Sequence, residues 1–318
     1  MPSYSGVWNL VAQFQAVGQG LWPYPPLTGD IGLFAGTNYN TINFITITSA
    51  GNASNFGDLT TTLGNQAGCG STTRGLFAGA INFPGSNVIE YVTFSTRSNT
   101  TDFGDLTVAR GQFGGANSST RGVFIAGRLS TGTNYTTIDY VTIATVGNAT
   151  NFGAITAAAA YNCATSNSTR AITSTFIFEA AGNSNVIEYV TIASAGNSTD
   201  FGDLTIVRTT GSGAASSTRG VFAGGVIPGN RSNVIDYVAI ASIGNATDFG
   251  DLTVARSACG ACSNSTRIVV AGGNTVSGNT NAMDYITIST TGNAATFGDL
   301  FLTITNMVSC SNSNGGVQ

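Results

Sequence analysis

Short apolar runs of strand length recur along this chain and are separated by Gly, Asn, Ser and Thr. Residues 234–240 are typical: they read Val-Ile-Asp-Tyr-Val-Ala-Ile, so both alternating faces are largely apolar. Such a run predicts a strand that is covered on both sides. Turn-forming residues bound each run, and the pattern as a whole predicts an all-β fold.

The runs belong to a unit that repeats six times. Five copies carry an acid followed by Tyr and the first carries Asn-Phe, at steps of 47, 49, 49, 48 and 48 residues: Asn43, Glu90, Asp139, Glu188, Asp236 and Asp284. A Phe-Gly-Asp-Leu sequence, or a close variant, keeps the same steps: Phe56, Phe103, Phe152, Phe201, Phe249 and Phe297. A repeat of this length is typical of arrays, solenoids and propellers.

Each unit contains three β-rich runs and a fourth, Gly/Ala-rich run such as residues 211–217. Four strands per unit is typical of a propeller blade. The first copy begins at Ile31 with the second strand of a blade, and its missing inner strand can come only from residues 303–313. The sequence therefore predicts a six-bladed β-propeller of four-stranded blades over residues 27–318, closed by pairing of the N- and C-terminal segments.

Residues 1–26 precede the first repeat and differ from it in composition. Apolar residues at positions 7, 10, 11, 14 and 17 lie close to the spacing of one helical face. The prolines after Trp22 favour a stiff, extended connector. We expect a short helical extension that either caps the propeller or anchors it by docking Trp8 and Phe14 on another subunit.

The repeat resembles the Kelch motif over about residues 28–318. A glycine pair, a Tyr after an apolar run, and then Phe249, Leu252 and Arg256 carry the resemblance, with Phe in place of the customary Trp. The sequences Gly-Asn-Ala-Thr-Asp-Phe-Gly-Asp-Leu-Thr at 244–253 and Ser-Ser-Thr-Arg-Gly-Val-Phe-Ala-Gly-Gly at 216–225 are also similar to those of Kelch-like virion proteins of tailed marine phages. This resemblance implies a propeller in a virion or extracellular setting, with other virion proteins, copies of itself, or a host-surface glycan or protein as partners.

Composition narrows the possible functions. All 11 basic residues are arginine, because the chain contains neither lysine nor histidine, and the net charge is −4. Without a cluster of basic residues we expect no nucleic-acid binding. The apolar runs are well short of the ~20 residues of a membrane-spanning helix, so we expect no membrane insertion.

Catalytic chemistry is poorly supported. The copper oxidases among Kelch-like proteins need histidine, so carboxylates, Tyr and Cys are the remaining candidates. Pairs such as Asp102 and Asp105 could serve a glycan-active enzyme. The pair recurs in three copies, as expected of blade structure, so we predict no enzyme activity and no cofactor.

Metal binding has two weak candidates. Cys259 and Cys262 could form a metal knuckle, but no His or second such pair completes it, and the five cysteines stand where other copies have Ala or Gly. The Asn-Ala-Thr-Asp-Phe-Gly-Asp loop could hold Ca²⁺, although a local Asx-type turn explains its composition better. We predict buried apolar cysteines, a structural turn and no metal.

An arginine opens five of the six copies: Arg74, Arg121, Arg170, Arg219 and Arg267. The first copy lacks it, with Ile31 in its place, and also lacks the acid before the aromatic residue, with Asn43 in its place. This joint loss suggests that each arginine pairs with the acid, namely Glu90, Asp139, Glu188, Asp236 or Asp284. Independent drift of a terminal repeat is the alternative explanation.

Binding residues are sought where the repeat breaks. At the junction of the third and fourth copies, Phe176, Phe178 and Glu179 stand where Phe-Ala-Gly-Gly is expected. This departure indicates either a contact surface for a partner or a degenerate blade with a repacked core. Loops of variable length include Tyr39, Phe83 and Tyr135, which suit glycan or protein recognition. The leading hypothesis is thus a noncatalytic binding propeller, followed by a self-assembling structural subunit and, last, a glycan-active enzyme.

Overall fold

The computed structural model describes residues 27–37, 39–62, 64–81, 85–175 and 184–317. These residues form six four-stranded antiparallel sheets and two short hairpins, and the six innermost strands surround a central channel. The predicted six-bladed propeller is confirmed. The predicted helix and its residues Trp8 and Phe14 lie outside the described residues, and the division at residue 26 stays a prediction.

The strands follow one another blade by blade. Blade 1 contains β1 (Ile31–Gly36), β2 (Tyr39–Thr46) and β3 (Ser54–Asp58); blade 2 contains β4 (Ala67–Gly70), β5 (Arg74–Ala80), β6 (Ser86–Thr93) and β7 (Thr101–Asp105); blade 3 contains β8 (Gly114–Asn117), β9 (Arg121–Ile125), β10 (Tyr135–Thr142) and β11 (Thr150–Ala159). Blade 4 contains β12 (Cys163–Ser166), β13 (Arg170–Ser174), β14 (Val186–Thr191) and β15 (Thr199–Asp203); blade 5 contains β16 (Ser212–Ala215), β17 (Arg219–Ala223), β20 (Val234–Ala239) and β21 (Thr247–Asp251), with the hairpin β18 (Val226–Ile227) and β19 (Asn230–Arg231). Blade 6 contains β22 (Gly260–Ser263), β23 (Arg267–Ala271), β26 (Ala282–Thr287) and β27 (Ala295–Asp299), with the hairpin β24 (Asn274–Thr275) and β25 (Gly278–Asn279).

The last strand, β28 (Val308–Ser311), closes the ring. It pairs antiparallel with β1, with Leu33 opposite Cys310, and becomes the innermost strand of blade 1. This confirms the predicted closure by the two chain segments. Closure pairs the strand edge that β1 would otherwise expose.

The Phe-Gly-Asp sequence joins each blade to the next. Its Phe packs edge-to-face on the Tyr of its own blade, as Phe103 does on Tyr91 with ring centroids 5.9 Å apart. Its Gly lies at a bulge: Gly104 has φ +142°, and a Cβ there would come within 2.5 Å of the Gly147 backbone in blade 3. The motif thus requires glycine because two blades touch at this point.

The molecule has two unlike faces. The turn face carries the turns between the first and second and between the third and fourth strands of each blade. The loop face carries the loops between the second and third strands and the connections that lead to the next blade. The described chain begins on the turn face, where Leu27 N–H donates to Ser95 O at 3.0 Å.

Ala157 to Ala159, at the third-to-fourth junction, continue strand β11, in which Ala159 is opposite Tyr135 of β10. Blades 3 and 4 both keep four strands. Phe176, Phe178 and Glu179 lie outside the described residues, so the predicted contact surface there stays a prediction.

Candidate functional site

The arginines that open the blades do not pair with the acids before Tyr, so that prediction is wrong. Arg121 stacks on Tyr140 of its own blade, with Cζ 4.8 Å from the ring centroid, and its Nη1 donates to Ile192 O of blade 4 at 3.0 Å. Arg74, Arg170, Arg219 and Arg267 repeat both contacts. The register explains the error: Arg121 and Val123 share a face of the sheet with Tyr140, whereas Asp139 points to the other face.

Three of the acids pair instead with a different arginine, which ends the Phe-Gly-Asp-Leu segment of the preceding blade. The ion pairs are Arg110 with Asp139 at 2.7 Å, Arg208 with Asp236 at 3.0 Å, and Arg256 with Asp284 at 2.9 Å. All six side chains are buried. A threonine of the preceding blade also donates to each aspartate, as Thr107 Oγ1 does to Asp139 at 2.7 Å. Burial lowers the pKa of the Arg110 guanidinium, and neighbouring Asp139 opposes that shift.

Glu90 and Glu188 have hydroxyl partners in place of an arginine. The preceding copies carry Leu63 and Ala159 where the others carry Arg. Glu90 accepts from Thr60 and Thr100, and Glu188 accepts from Thr156 and Ser198. Burial raises the pKa of the Glu90 carboxyl, although these hydrogen bonds oppose the shift.

This choice of partners is visible in the sequence. Ten residues after the acid, the Glu copies carry Thr100 and Ser198, whereas the Asp copies carry Ala149, Ala246 and Ala294. Asp therefore occurs with Arg and Ala, and Glu occurs with a second hydroxyl and no Arg. The prediction did not use this signal, because it paired each acid with the arginine that opens the same copy.

Ring closure uses a third variant of the same contact. Asn43 Oδ1 accepts from Phe301 N–H of blade 6 at 3.0 Å, and Ile304 stands where three other copies have Arg. The missing acid at Asn43 is therefore matched by the missing arginine at Ile304 in the last copy, and not by the missing arginine at Ile31 in its own copy. The aromatic Phe44 is covered from blade 2 by Arg97, with Cζ 4.4 Å from the ring centroid.

The asparagine loops connect neighbouring blades rather than forming local Asx turns, so the predicted local partner is wrong. Asn148 Oδ1 accepts from Asp105 N–H of the preceding blade at 3.1 Å, and Asn52, Asn99, Asn197, Asn245 and Asn293 make the same bond. Within the described part of the chain, no three His, Cys, Asp or Glu side chains gather as a possible metal site.

The cysteines are free thiols, four of them buried and Cys163 half-buried. Three pack against a glycine of the next blade, and a Cβ on Gly122 would lie 2.6 Å from Cys69 Sγ. Burial raises the pKa of the Cys69 thiol to about 12. Cys–Gly pairs therefore fill the space between blades, and the thiols remain protonated near neutral pH.

The channel opens on the loop face through a ring of six equivalent residues with left-handed backbone: Asn65, Gln112, Tyr161, Thr210, Ala258 and Asn306, with φ between +49° and +61°. Main-chain hydrogen bonds link neighbours in this ring, as from Tyr161 N–H to Gln112 O at 2.8 Å. Such a conformation costs non-glycine residues free energy and is held here by all six blades. We call these six residues and the space below them the channel mouth.

On the turn face the channel is covered by the residues after β28. Gly315 N–H donates to Ala215 O at 2.9 Å, and the side-chain amides of Asn314 and Asn117 bond to each other at 3.2 Å. The space at the mouth is about 70 Å³, below the ~300–1,000 Å³ of ordinary small-molecule sites. A ligand would therefore bind largely on the rim.

Two of the predicted binding residues can be placed on the loop face. Tyr39, which is 38% exposed, and half-buried Tyr135 are equivalent positions at the starts of β2 and β10. Ser86, Ser184, Ser232 and Thr280 stand there in the other blades and accept a main-chain N–H two residues on. Phe83 lies outside the described residues.

The repeat breaks at the channel mouth in a way that the sequence analysis missed. Tyr161 is the aromatic member of the ring, and Arg128 of the adjacent loop donates from Nη1 to its hydroxyl at 3.3 Å. The Arg128 Cζ lies 5.8 Å from the Tyr161 ring centroid. Tyr161 stands nine residues after Phe152, as the other ring residues do after their own Phe, so aligning the copies would have shown it as an exception. Arg128 becomes comparable with Val226 and Asn274 only through their main-chain bridges.

The six blades, their glycine pairs and their Tyr–Phe contacts are compatible with a Kelch-like propeller. The part of the chain that the structure describes contains no helix long and apolar enough to span a membrane. In comparisons with known proteins, no family model and no curated protein matches this chain.

Proposed function

We propose that this protein is a noncatalytic binding and structural component of a virion, associated with the tail or a fibre or decorating the particle. Its loop face contacts a host-surface glycan or protein, and its turn face is directed toward other virion proteins. The main support is that departures from the repeat concentrate on the loop face. In an array of equivalent units, individual recognition depends on the positions at which the units differ.

The constant residues of the turn face already have structural roles, which supports this assignment of the faces. Each asparagine in its outer turns holds the preceding blade, and each opening arginine holds the next. The loop face instead carries Tyr39, Tyr135, Arg128 and Tyr161 at positions where most blades have other residues. Residues 1–26, which precede Leu27 on the turn face, are the proposed anchor to other subunits.

The chemistry of the channel mouth favours binding over catalysis. The six ring side chains are amides, a hydroxyl, a methyl and a phenol, without a carboxylate. The buried acids are bonded to arginine or to hydroxyls. A glycan-active enzyme would need two carboxylates about 5–10 Å apart on either side of the substrate.

The proposal is tested on the native particle and with the purified protein. Antibodies against the loop 226–233 should bind intact particles in electron micrographs, and an array of host-surface glycans should retain the protein. Tyr135→Ser, which copies blades 2, 4 and 5, should weaken glycan retention without unfolding the propeller. Absence of the protein from purified particles would contradict a virion role.

A self-assembling structural subunit is the second candidate, because one sector of the loop face is apolar. Across blades 5, 6 and 1 the exposed fractions are 50% for Val254, 75% for Val276 and 66% for Phe301. Phe301 stands where the other five copies have Thr. Residues 1–26 contain no charged side chain, so this segment of a second copy is a chemically suitable occupant.

Phe301→Thr separates the two candidates. Under self-assembly, the change should shift the protein toward monomer in analytical ultracentrifugation, as should deletion of residues 1–24. Ile243→Ser removes an equally exposed residue, 65%, from the turn face and is the matched control. A monomeric parent protein would rule out this second candidate.

A further inference from the structure

We propose that the channel mouth binds the carboxylate of an acidic saccharide through Arg128 and Tyr161. This inference rests on the proposed function, since it names the ligand class that the loop face recognises. Neither residue belongs to the pattern that builds the blades. At the position of Arg128, blades 5 and 6 carry Val226 and Asn274, which make the same main-chain bridge to the connection that leads into their own blade.

Among the described residues, the guanidinium of Arg128 lacks the kind of acceptor that nine other arginines have. Arg110, Arg208 and Arg256 each reach an aspartate, the five opening arginines each reach a main-chain carbonyl, and Arg231 reaches Asn274 O at 3.1 Å. Among the described residues, Arg128 donates its side chain only to the Tyr161 hydroxyl, and its Nε is buried without an acceptor.

Within the described part of the chain, the positive charge of Arg128 beside the mouth therefore has no counter-charge. Arg208 and Arg256 also leave one nitrogen without an acceptor, but an aspartate neutralises each of them. Arg128 has no carboxylate within ion-pair distance in the described part of the chain. A ligand carboxylate would supply both the charge and two oxygens in the geometry that a guanidinium recognises.

Two amide oxygens at the mouth indicate that the same ligand also carries hydroxyl groups. Gln66 lines the space below the ring, is 6% exposed, and its Oε1 has no donor among the described residues. Gln112, a ring residue next to Tyr161, likewise has no donor to its Oε1 in the described part of the chain. Buried acceptors without donors carry a free-energy cost that ligand hydroxyls would relieve.

A saccharide fits this combination better than an acidic peptide. Peptide contacts usually depend on an apolar or aromatic anchor in a desolvated pocket. The mouth offers about 70 Å³, and five side-chain amides are among its lining residues. This space accommodates a hydroxymethyl group, while the sugar ring lies on Tyr161 and the carboxylate meets Arg128 beside the mouth. Acidic peptides are therefore an outcome of the test rather than the proposal.

The test compares ligands that differ only in charge. Oligosaccharides ending in sialic or glucuronic acid, their carboxyl-reduced forms and their neutral parents are titrated into the full-length protein by calorimetry and ligand-observed NMR. We expect carboxyl reduction to weaken binding at least tenfold, and higher salt to weaken only the acidic forms. This comparison needs no variant, so a folding defect cannot affect it.

Variants taken from the chain's own repeats then locate the site. Arg128→Val copies blade 5 and should weaken binding at least tenfold, and Tyr161→Thr copies blade 4 and should do likewise, both with the thermal midpoint kept. Arg231→Asn copies blade 6 and should leave affinity unchanged. Equal affinity for acidic and carboxyl-reduced sugars, preference for acidic peptides, or unchanged binding by Arg128→Val would each overturn the inference. Binding of neutral glycans alone would leave the proposed function standing, whereas failure of every host-surface ligand would count against both.

Discussion

Arg110 Nη1 lies 2.7 Å from Asp139 Oδ2, and both side chains are fully buried, although they belong to neighbouring blades. The arginine also donates from Nε to Ala126 O at 2.7 Å. The contact therefore joins the connection leaving blade 2 to two central strands of blade 3. Equivalent contacts recur at two further blade junctions, and at two others a threonine hydroxyl of the preceding blade bonds to a glutamate instead.

Removing one member of this ion pair should be costly. We expect Arg110→Leu to lower the free energy of unfolding by about 3–5 kcal/mol, because Asp139 is left buried without its counter-charge. Adding Asp139→Glu and Ala149→Thr gives the combination of residue types found at Leu63, Glu90 and Thr100 in the sequence and should restore most of the loss. Urea denaturation measures both the loss of unfolding free energy in Arg110→Leu and its recovery in the triple variant. A triple variant as unstable as Arg110→Leu would show that the two arrangements are not interchangeable.

The Cys69–Gly122 contact should behave as a size-matched pair. Gly122→Ala places a methyl group 2.6 Å from Cys69 Sγ and should cost about 1–3 kcal/mol. Cys69→Ala in the same chain should recover much of that cost by removing the sulfur. Thermal unfolding of the two single variants and the double variant tests this, and additive losses would contradict direct packing.

Glu90 should make stability depend on pH. Because burial raises its pKa in the folded state, its stabilising contribution is fully present below the unfolded pKa, near 4.5, and is lost as pH rises through the folded value. Relative to Glu90→Gln, the parent should therefore be most stable near pH 4 and lose that advantage toward pH 7. The difference in thermal midpoint across this range is the measurement. If the thermal midpoint of the parent protein increases relative to that of Glu90→Gln as pH rises, the raised pKa of Glu90 would be refuted.

Closure by β28 should be essential to the ring. Deletion of residues 303–318 removes the strand that pairs with β1 and uncovers the channel end on the turn face. We expect a lower thermal midpoint together with self-association through the exposed edge of β1. Size-exclusion chromatography with light scattering detects the association. A truncated chain that stays monomeric at the parental midpoint would be incompatible with this topology.

The sequence predicts the architecture well because the repeat is strict. The closure strand can also be recognised, because the first copy lacks an inner strand and the end of the chain supplies a strand that no other copy needs. The sequence predicts side-chain contacts poorly, because a residue at a given position of the repeat can contact its own blade, the next blade or the preceding blade. The alternation of side chains along β10 already separates Tyr140 from Asp139 and so excludes Arg121 as the partner of the acid. Arg128 escaped prediction because its loop differs in length between copies, and its contact with Tyr161 forms only in the folded ring.

Selective labelling of the two faces tests the central claim most directly. Val276→Cys on the loop face and Ile243→Cys on the turn face introduce thiols at sites that are 75% and 65% exposed, while four native thiols are buried and the fifth is half-buried. Both variants should react with a maleimide as free proteins, and the unmodified chain is the control. In the native particle we predict that the thiol at position 276 still reacts and the thiol at position 243 is protected. The reverse pattern, or protection of both, would contradict a loop face that is free for recognition.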